Sequence, residues 1–231
     1  MQMPVKKKFL LIFILGLITA IGPFSIDMYL PAFTAIATDL HTSVAQVSLS
    51  LSSFFIGISI GQFIYGPLLD RFGRKRPLYA GLSVYLVASV FCAMAASAES
   101  LIALRFLQAL GGCAGMVASR AMVRDLFDVA DNAKIFSMLM LVVGVSPIIA
   151  PTMGGYLTAS IGWHYIFVLL AIMAFLILAA VYFLLPESRQ PDTSYSLKPA
   201  AIISRFVVVI KEPQFYTYAF TGAIASAGLY A

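Results

Sequence analysis

Long apolar runs alternate with short polar segments along the whole of this 231-residue chain. Seven of these runs approach or exceed the length of about 20 residues that an α-helix needs to cross the core of a bilayer. We predict seven membrane-spanning helices, spans 1 to 7, over residues 9–37, 44–69, 77–98, 101–123, 135–157, 163–185 and 213–231. The connections after spans 1, 3 and 5 are very short, so each of these spans is expected to lie antiparallel to the next.

The composition excludes a soluble domain. Hydrophobic residues make up 61% of the chain and charged residues 11%, whereas soluble domains carry about 25% charge. We therefore predict an all-α integral membrane protein. A cleaved signal peptide, with Lys6–Lys8 as its basic region, is the alternative for the N-terminus. The apolar run that follows is too long for one and ends at no clear Ala-x-Ala site, which favours a retained first span.

The formal net charge of +5 invites a nucleic-acid partner, but its distribution indicates membrane topology instead. Lysine and arginine precede span 1 and lie between spans 2 and 3, 4 and 5, and 6 and 7. The connections 38–43, 99–100 and 158–162 contain neither. This is the positive-inside pattern. It predicts a multi-pass membrane protein with a cytoplasmic N-terminus and no nucleic-acid partner.

One cytoplasmic connection, residues 186–212, is long and rich in proline, as linkers are. We predict a six-helix bundle over 1–185, a linker over 186–212 and the start of a second bundle over 213–231. Apolar residues recur at helical spacing over 203–210, which fits a short helix on the inner membrane surface; a loosely ordered linker is the alternative. Because the sequence ends inside an apolar run, we expect a fragment or the product of a truncated gene.

Small residues within the spans predict packing. Ser53, Gly57 and Gly61 recur every four residues on span 2, a face that lets helix backbones approach closely. Cys92 and Cys113 fall inside spans 3 and 4, without cysteine or histidine neighbours at metal-ligand spacing. We interpret both as small packing residues and predict no metal site; a disulfide between them is the alternative.

Two ionisable residues inside the spans are candidates for function, because such residues are rare in membranes and usually functional. They are Asp27 on span 1 and Arg105 on span 4. Both are placed in the outer half of the membrane, within a turn or two of each other, so we expect them to face one cavity and pair. An isolated charge there would cost at least about 2.5–3.5 kcal/mol. The alternatives are snorkelling of Arg105 to the outer surface and an interfacial position for Asp27.

Such a pair could bind and release a proton as its surroundings switch. A neutralised Asp27 could also exchange its proton for a cationic or polar substrate, which is a mechanism for antiport.

A short charged loop between spans 2 and 3 indicates the family. It reads Gly66-Pro-Leu-Leu-Asp70-Arg71-Phe-Gly73-Arg74-Lys75, and it resembles the loop 2–3 signature of the major facilitator superfamily of transporters. Members have two six-helix bundles with the substrate site between them. The resemblance therefore implies a six-helix N-terminal bundle, a truncated seventh helix and a missing C-terminal bundle.

In that superfamily the Asp and Arg of this loop join a charge network at the inner end of span 4. The resemblance thus implies a conformational-switch loop formed by Gly66, Asp70, Arg71, Gly73 and Arg74, with Arg120, Arg124 and Asp125 as the available partners. The alternative is a loop that only anchors topology, which the two glycines at fixed offsets disfavour.

Spans 4 and 5 carry two further resemblances. Arg105-x-x-Gln108-x-x-Gly-Gly is similar to a span 4 motif associated in the superfamily with proton transfer, although Ala109 replaces a glycine. Pro151-x-x-Gly154-Gly155 resembles the span 5 motif of drug–proton antiporters, with Ala150 in place of the usual glycine. Pro147 lies one turn before it.

Residues 27–31, Asp-Met-Tyr-Leu-Pro, resemble span 1 of the bicyclomycin-resistance branch (Bcr/CflA) of the twelve-helix drug–proton antiporters, and the likeness covers essentially the whole chain. It implies proton-coupled efflux of small amphipathic toxic compounds across the cell inner (plasma) membrane, driven by the proton gradient without a cofactor. Asp27 and Arg105 are the predicted proton-coupling residues, and Asp27, Tyr29 and Gln108 the predicted substrate-binding residues. The expected partners are a small-molecule substrate, protons and the lipid bilayer.

Three other functions compete with efflux. Gly57-Ile-Ser59-Ile-Gly61 fits the serine-hydrolase pattern, but that elbow needs a strand–turn–helix setting. Ser59 also lies roughly 22 Å along its helix from the outer surface, where His41 and His164 are placed, so we predict that the protein is not an enzyme. A nutrient symporter or uniporter of the same fold, and an inert or regulatory half-transporter, stay open.

Overall fold

The structure, a computed structural model, describes residues 4–192, 194–195 and 197–230. Within these residues it is helical, without strands. The first three residues of the predicted first bundle and Ala231, the end of predicted span 7, lie outside the described residues. The helices are α1 (Val5–Asp27), a 3₁₀ turn (Leu30–Ala32), α2 (Phe33–Asp39), α3 (Val44–Phe72), α4 (Lys75–Cys92), α5 (Ala98–Leu126), α6 (Val129–Ser160), α7 (His164–Phe183), α8 (Pro199–Lys211) and α9 (Pro213–Tyr230).

Predicted span 1 is broken, so the expectation of one helix over 9–37 is wrong. Helix α1 ends at Asp27 and the chain passes through the 3₁₀ turn before α2 begins. Pro31 explains the break, since it lacks an N–H and disfavours helix at the residue before it. The stretch Lys8–Asp39 as a whole is still long and apolar enough to cross a membrane.

Among the described residues, four more helices meet that criterion of length and composition, namely α3, α5, α6 and α7. Helices α4 and α9 do not; α4 has only 18 residues and begins with two charges. The predicted end of span 3 at residue 98 is also wrong, because α4 ends at Cys92. Residues 93–97 form the connection, and the Ser97 hydroxyl caps α5 by accepting the Ser100 N–H at 3.2 Å.

Close packing around α5 holds the bundle together. Helix α5 packs against α3 and α4, while α1 packs against α6 and α4 against α7. A Cβ atom on Gly61 would lie 2.7 Å from the Cβ of Cys113, and one on Gly57 equally close to Ala109. The predicted small-residue face of span 2 is therefore confirmed. Cys113 and Cys92 are buried free thiols, as packing residues would be, and the disulfide alternative is wrong.

Polar contacts join the helix ends. Lys8 and Asp131 form a 2.6 Å ion pair between the starts of α1 and α6. At the opposite end the indole N–H of Trp163, just before α7, donates to Asp39 of α2 at 3.0 Å. The predicted linker contains α8, which favours the short helix over a loosely ordered connection.

Candidate functional site

Asp27 is a carboxylic acid buried at the point where α1 breaks. It is 8% exposed, and its Oδ2 accepts a 2.9 Å hydrogen bond from the hydroxyl of Ser146 on α6. Among the described residues, no lysine, arginine or histidine forms an ion pair with Asp27. A neutral hydroxyl, rather than a cation, therefore faces this acid.

The break brings the backbone of the α1 segment against α6. A Cβ atom on Gly154 would collide with the carbonyl group of Met28, so any larger residue there would push the two segments apart. Gly155 is less crowded, since its Cβ would lie 3.8 Å from Pro31. The two prolines of the predicted α6 motif lie between Ser146 and Gly154, namely Pro147 and Pro151. The motif thus lies in the stretch of α6 that packs against the break between α1 and α2.

Arg105 on α5 is 0% exposed and binds neutral acceptors. One guanidinium nitrogen donates to Gln108 Oε1 at 2.7 Å, and another donates to the backbone carbonyl of Ser25 at 3.0 Å. The guanidinium carbon lies 4.1 Å from the ring centre of Phe54 and 4.5 Å from that of Tyr29. Aromatic faces attract cations. Dipoles and ring faces therefore stabilise this charge, and snorkelling to the surface is excluded.

The predicted pair between Asp27 and Arg105 is wrong. The two side chains form no ion pair in the described part of the chain. The physical reason is that α6 supplies Ser146 to the acid, while Gln108 and a carbonyl of α1 occupy the guanidinium. The burial of Asp27 also argues against an interfacial position. An acid and a guanidinium are thus kept in separate settings within one region of the bundle.

Gln108 and Tyr29, the other predicted substrate-binding residues, are fully buried. The Gln108 amide donates to the hydroxyl of Ser89 at 2.7 Å, besides accepting from Arg105. The hydroxyls of Tyr29 and Ser50 lie 2.5 Å apart. In this conformation both residues surround the guanidinium, and neither lines a cavity; their substrate role stays a prediction.

A second charged region lies at the junction of α3 and α4, centred on Arg74, which is 5% exposed. Its Nε donates to Asp125 at 2.7 Å and another guanidinium nitrogen donates to Asp70 at 3.0 Å. Burial lowers the pKa of the Arg74 guanidinium, but the hydrogen bonds and charges of the two carboxylates outweigh burial and hold its pKa above the ordinary value. Two members of the predicted switch loop are thus brought together with one of its predicted partners, Asp125.

The segment after α7 completes this charge network, called the Arg74 network below. The carboxylate of Glu187 accepts the backbone N–H of Arg74 at 2.8 Å and that of Lys75 at 3.1 Å, so it caps the start of α4. Arg189 donates to Asp70 at 3.4 Å, and Arg71 donates to the carbonyl of Tyr195. Sequence reasoning did not include Glu187 and Arg189 in the network.

Gly73 and Gly66 have different roles in the loop. Gly73 has φ +81°, a conformation that favours glycine, and its Cβ would lie 2.9 Å from the Arg189 carbonyl oxygen. The glycine is therefore needed to let the segment after α7 approach. A Cβ on Gly66 would meet no atom within 4 Å, so nothing in the described residues requires a glycine there.

A cavity of about 320 Å³ lies between α1, α3, α5 and α6. Its wall is mostly apolar, with two methionines and one phenylalanine. The lining residues are Thr19, Gly22, Pro23, Ile26, Phe55, Ile58, Met116, Arg120, Met140 and Val143. Among these described residues Arg120 is the one with a charge.

Arg120 and Arg124 do not join the Arg74 network. Arg120 is exposed at the cavity and makes no hydrogen bond or ion pair with the residues that the structure describes. Arg124 is exposed as well and forms no ion pair in the same part of the chain. Their expected pairing with the loop is therefore not seen. Of the three predicted partners on α5, Asp125 is the one that forms an ion pair with the loop, through Arg74.

The family follows from comparison of the whole sequence. A sequence model described as Major Facilitator Superfamily matches residues 15–231. The chain belongs to the Major Facilitator Superfamily. Relatives in this superfamily include the Bacillus subtilis protein "Uncharacterized MFS-type transporter YdgK", 37% identical over 98% of this chain, and the Haemophilus influenzae "Bicyclomycin resistance protein homolog", 35% identical over the same share. The Escherichia coli "Multidrug resistance protein MdtL" is 35% identical over 80% of this chain.

This major facilitator chain spans about half the length of the curated relatives it matches, 57% of the first two and 48% of MdtL. Solved structures with the same fold include the proton:xylose symporter XylE, with TM-score 0.70 and 17% identity over 85% of this chain and 46% of that one. A bacterial homologue of the human lysosomal transporter Spinster gives TM-score 0.67 and 18% identity over 86% of this chain and 47% of that one. These likenesses establish the fold and carry no argument about substrate.

The hydrolase alternative is excluded by the family, whose members are transporters. The geometry agrees, since Ser59 donates to the Phe55 carbonyl at 2.9 Å in the middle of α3. Among the described residues, no cluster of three or more histidine, cysteine, aspartate or glutamate side chains could hold a metal ion.

Several residues of the site lack a distinctive sequence signal. Ser146 is one serine in a long apolar run, and only the rotation of α6 against α1 brings it to Asp27. Tyr85, whose hydroxyl lies 2.6 Å from that of Ser25, is equally ordinary in sequence. Glu187 does carry a signal, because it follows Pro186 at the end of an apolar span, where a free carboxylate can reach a helix N-terminus.

Proposed function

We propose that the complete transporter to which this chain contributes exports small, amphipathic toxic compounds across the inner membrane in exchange for protons. One observation carries the proposal: Asp27 is a membrane-buried carboxylic acid that hydrogen-bonds a neutral hydroxyl and lacks a cationic partner among the described residues. Such an acid can change its protonation state when access to water changes.

The energetic basis is the cost of an isolated charge in the membrane, about 2.5–3.5 kcal/mol on insertion scales. In a closed conformation Asp27 avoids that cost by holding a proton. When the site opens to water the charge is hydrated, and the proton can leave. The proton gradient then supplies the driving force, without a cofactor.

Arg105 has a separate part in this proposal. Its fixed positive charge lies near Asp27 but is held by Gln108 and the Ser25 carbonyl. A conformational change that shifted α1 against α5 would alter the distance between the two charges. The proton affinity of the acid would thereby follow the conformation, and this coupling is what antiport requires.

The Arg74 network is proposed to lie on the cytoplasmic side and to act as the switch that marks one conformation. It ties the α3–α4 junction to the end of α5 and to the segment after α7 through Arg74, Asp125 and Glu187. A second bundle, protons, the bilayer and a small-molecule substrate are the proposed partners. The arrangement with a cytoplasmic N-terminus rests on the distribution of lysine and arginine.

The names of the relatives support drug efflux over uptake. Two of them are named for resistance, one to bicyclomycin and one to multiple drugs, and each shares 35% identity with this chain. The α6 motif around Pro151 and Gly154 gives further support, because it resembles that of drug–proton antiporters.

The test is efflux driven by a pH gradient in proteoliposomes containing the complete transporter. Asp27→Asn is expected to abolish proton-coupled efflux while the protein still folds. Asp39→Asn makes the same chemical change on an acid that lies at the other side of the break, near Trp163, and is expected to retain coupling. Efflux by Asp27→Asn with unchanged proton coupling would contradict the proposal.

A further inference from the structure

The cavity between α1, α3, α5 and α6 has an asymmetric charge. Arg120 lies on its wall, whereas Asp27 is buried next to Ile26 and is absent from the lining. The rest of the wall is apolar apart from Thr19. A molecule in this cavity therefore meets a guanidinium and no carboxylate from the described residues.

Arg120 is also available to bind. In the described part of the chain it makes no hydrogen bond or ion pair, unlike Arg74 and Arg105. A guanidinium offers five N–H donors in a planar fork that fits carboxylate, sulfonate or phosphate groups. The guanidinium is exposed at the cavity, so an anionic group that enters the cavity can reach these donors.

The remaining wall suits an amphipathic molecule. Met116 and Met140 have flexible, polarizable side chains that adapt to different shapes, and Phe55 offers an aromatic ring. A volume of about 320 Å³ falls at the lower end of the range for small-molecule pockets.

We propose that this cavity selects amphipathic compounds that carry an anionic group, and that Arg120 is the residue that determines this charge preference. The inference rests on the proposed function, since it names the substrate class of the same transporter. It opposes the expectation of a cationic substrate exchanged at Asp27, because a cation in the cavity would be repelled by Arg120.

The test compares two probes with one scaffold in proteoliposomes that contain the complete transporter. 8-Anilino-1-naphthalenesulfonate carries a sulfonate, and N-phenyl-1-naphthylamine lacks it. Probe uptake driven by an imposed pH gradient is measured. Valinomycin with equal potassium concentrations on both sides of the membrane clamps the membrane potential. Ethidium serves as the cationic probe. The wild type is expected to transport the sulfonate faster than the neutral amine, and both faster than ethidium.

Three variants separate charge selection from general damage. Arg120→Gln should lower the ratio of sulfonate to amine transport about tenfold, or about 1.4 kcal/mol, while amine transport stays within about threefold. Arg120→Lys keeps the charge and should keep most of the ratio. Lys134→Gln, which removes one exposed charge from the start of α6, should leave the ratio unchanged.

The outcomes distinguish the two proposals. Transport with an unchanged ratio in Arg120→Gln, or with ethidium as the preferred probe, would overturn the charge selection and leave proton-coupled efflux standing. Equal loss of all probes in Arg120→Gln would also overturn it, since that pattern indicates a structural role. If no probe moves in the wild type under any gradient, the proposed function fails and the charge selection fails with it.

Discussion

Two buried arginines of this bundle are stabilised in opposite ways. Arg74, at the α3–α4 junction, contacts two carboxylates at 2.7 and 3.0 Å. Arg105, inside the bundle, contacts an amide oxygen, a backbone carbonyl and aromatic faces. Carboxylates neutralise the charge of Arg74, whereas neutral dipoles and ring faces stabilise the charge of Arg105 without neutralising it. The comparison shows how the fold can keep a full positive charge in the membrane and leave a nearby acid, Asp27, free of it.

The largest expected effect concerns the packing that maintains the acid's setting. Gly154→Ala would force a Cβ atom into the Met28 carbonyl, so we expect the free energy of unfolding to fall by about 3 kcal/mol. Gly144→Ala, on the same helix with no atom within 4 Å of the new Cβ, is the control and should not destabilise. Equal thermal midpoints for the two variants would show that the α1–α6 contact is not tight.

The Arg74 network should be next in its sensitivity to substitution. Arg74→Ala leaves two partly buried carboxylates without their cation, and we expect a loss of about 2 kcal/mol, as for hydrogen bonds to charged groups. Arg76→Ala removes an exposed arginine two residues later and should change stability by less than about 0.5 kcal/mol. Denaturant unfolding of the purified transporter measures both, and similar losses would count against the network.

Replacing each arginine by lysine sharpens the comparison directly. Lysine keeps the charge but loses the planar fork. Arg105→Lys should therefore reduce transport about tenfold, or about 1.4 kcal/mol, because its partners require a fork and ring contacts. Arg74→Lys should stay within about threefold, since two carboxylates accept a point charge. The same loss in both would contradict the distinction between dipoles and counter-ions.

The smallest expected effect is at the helix cap. Glu187→Ala leaves two N–H groups of α4 without a side-chain acceptor and should cost about 1 kcal/mol, the usual cost of losing a cap. Glu212→Ala changes an exposed acid at the end of α8 and is expected to be neutral. Hydrogen exchange at the start of α4 provides the local measurement, and unchanged protection there would argue against the cap.

The sequence predicted which ionisable residues are buried in the bundle better than it predicted their contacts. Asp27 and Arg105 could be found because charges are rare in apolar spans, and the loop over 66–75 because its pattern is charged and bounded by glycines. The partners of Asp27 and Arg105 could not be predicted. Ser146, for example, is a partner of Asp27 only because of the way α6 is oriented about its axis. The break after Asp27 had a signal in Pro31, but the apolar run around it concealed the break.

Charge placement along a helix was also hard to predict. Arg120 and Arg124 are one turn apart and both were expected in the Arg74 network, yet Arg120 lies on the cavity wall. Depth along a helix can be read from residue number, but the direction a side chain faces depends on packing with neighbouring helices. The prediction for Asp125 was correct, because α5 ends beside the loop and Asp125 forms an ion pair with Arg74 there.

The proposed mechanism is that Asp27, kept apart from Arg105, carries the proton. Its most direct test is proton release by the complete transporter, purified in detergent and weakly buffered, on addition of a probe that it transports. The wild type should release protons into a pH-sensitive dye on binding, and Asp27→Asn should release none while still binding the probe. Equal release by both proteins would contradict the account.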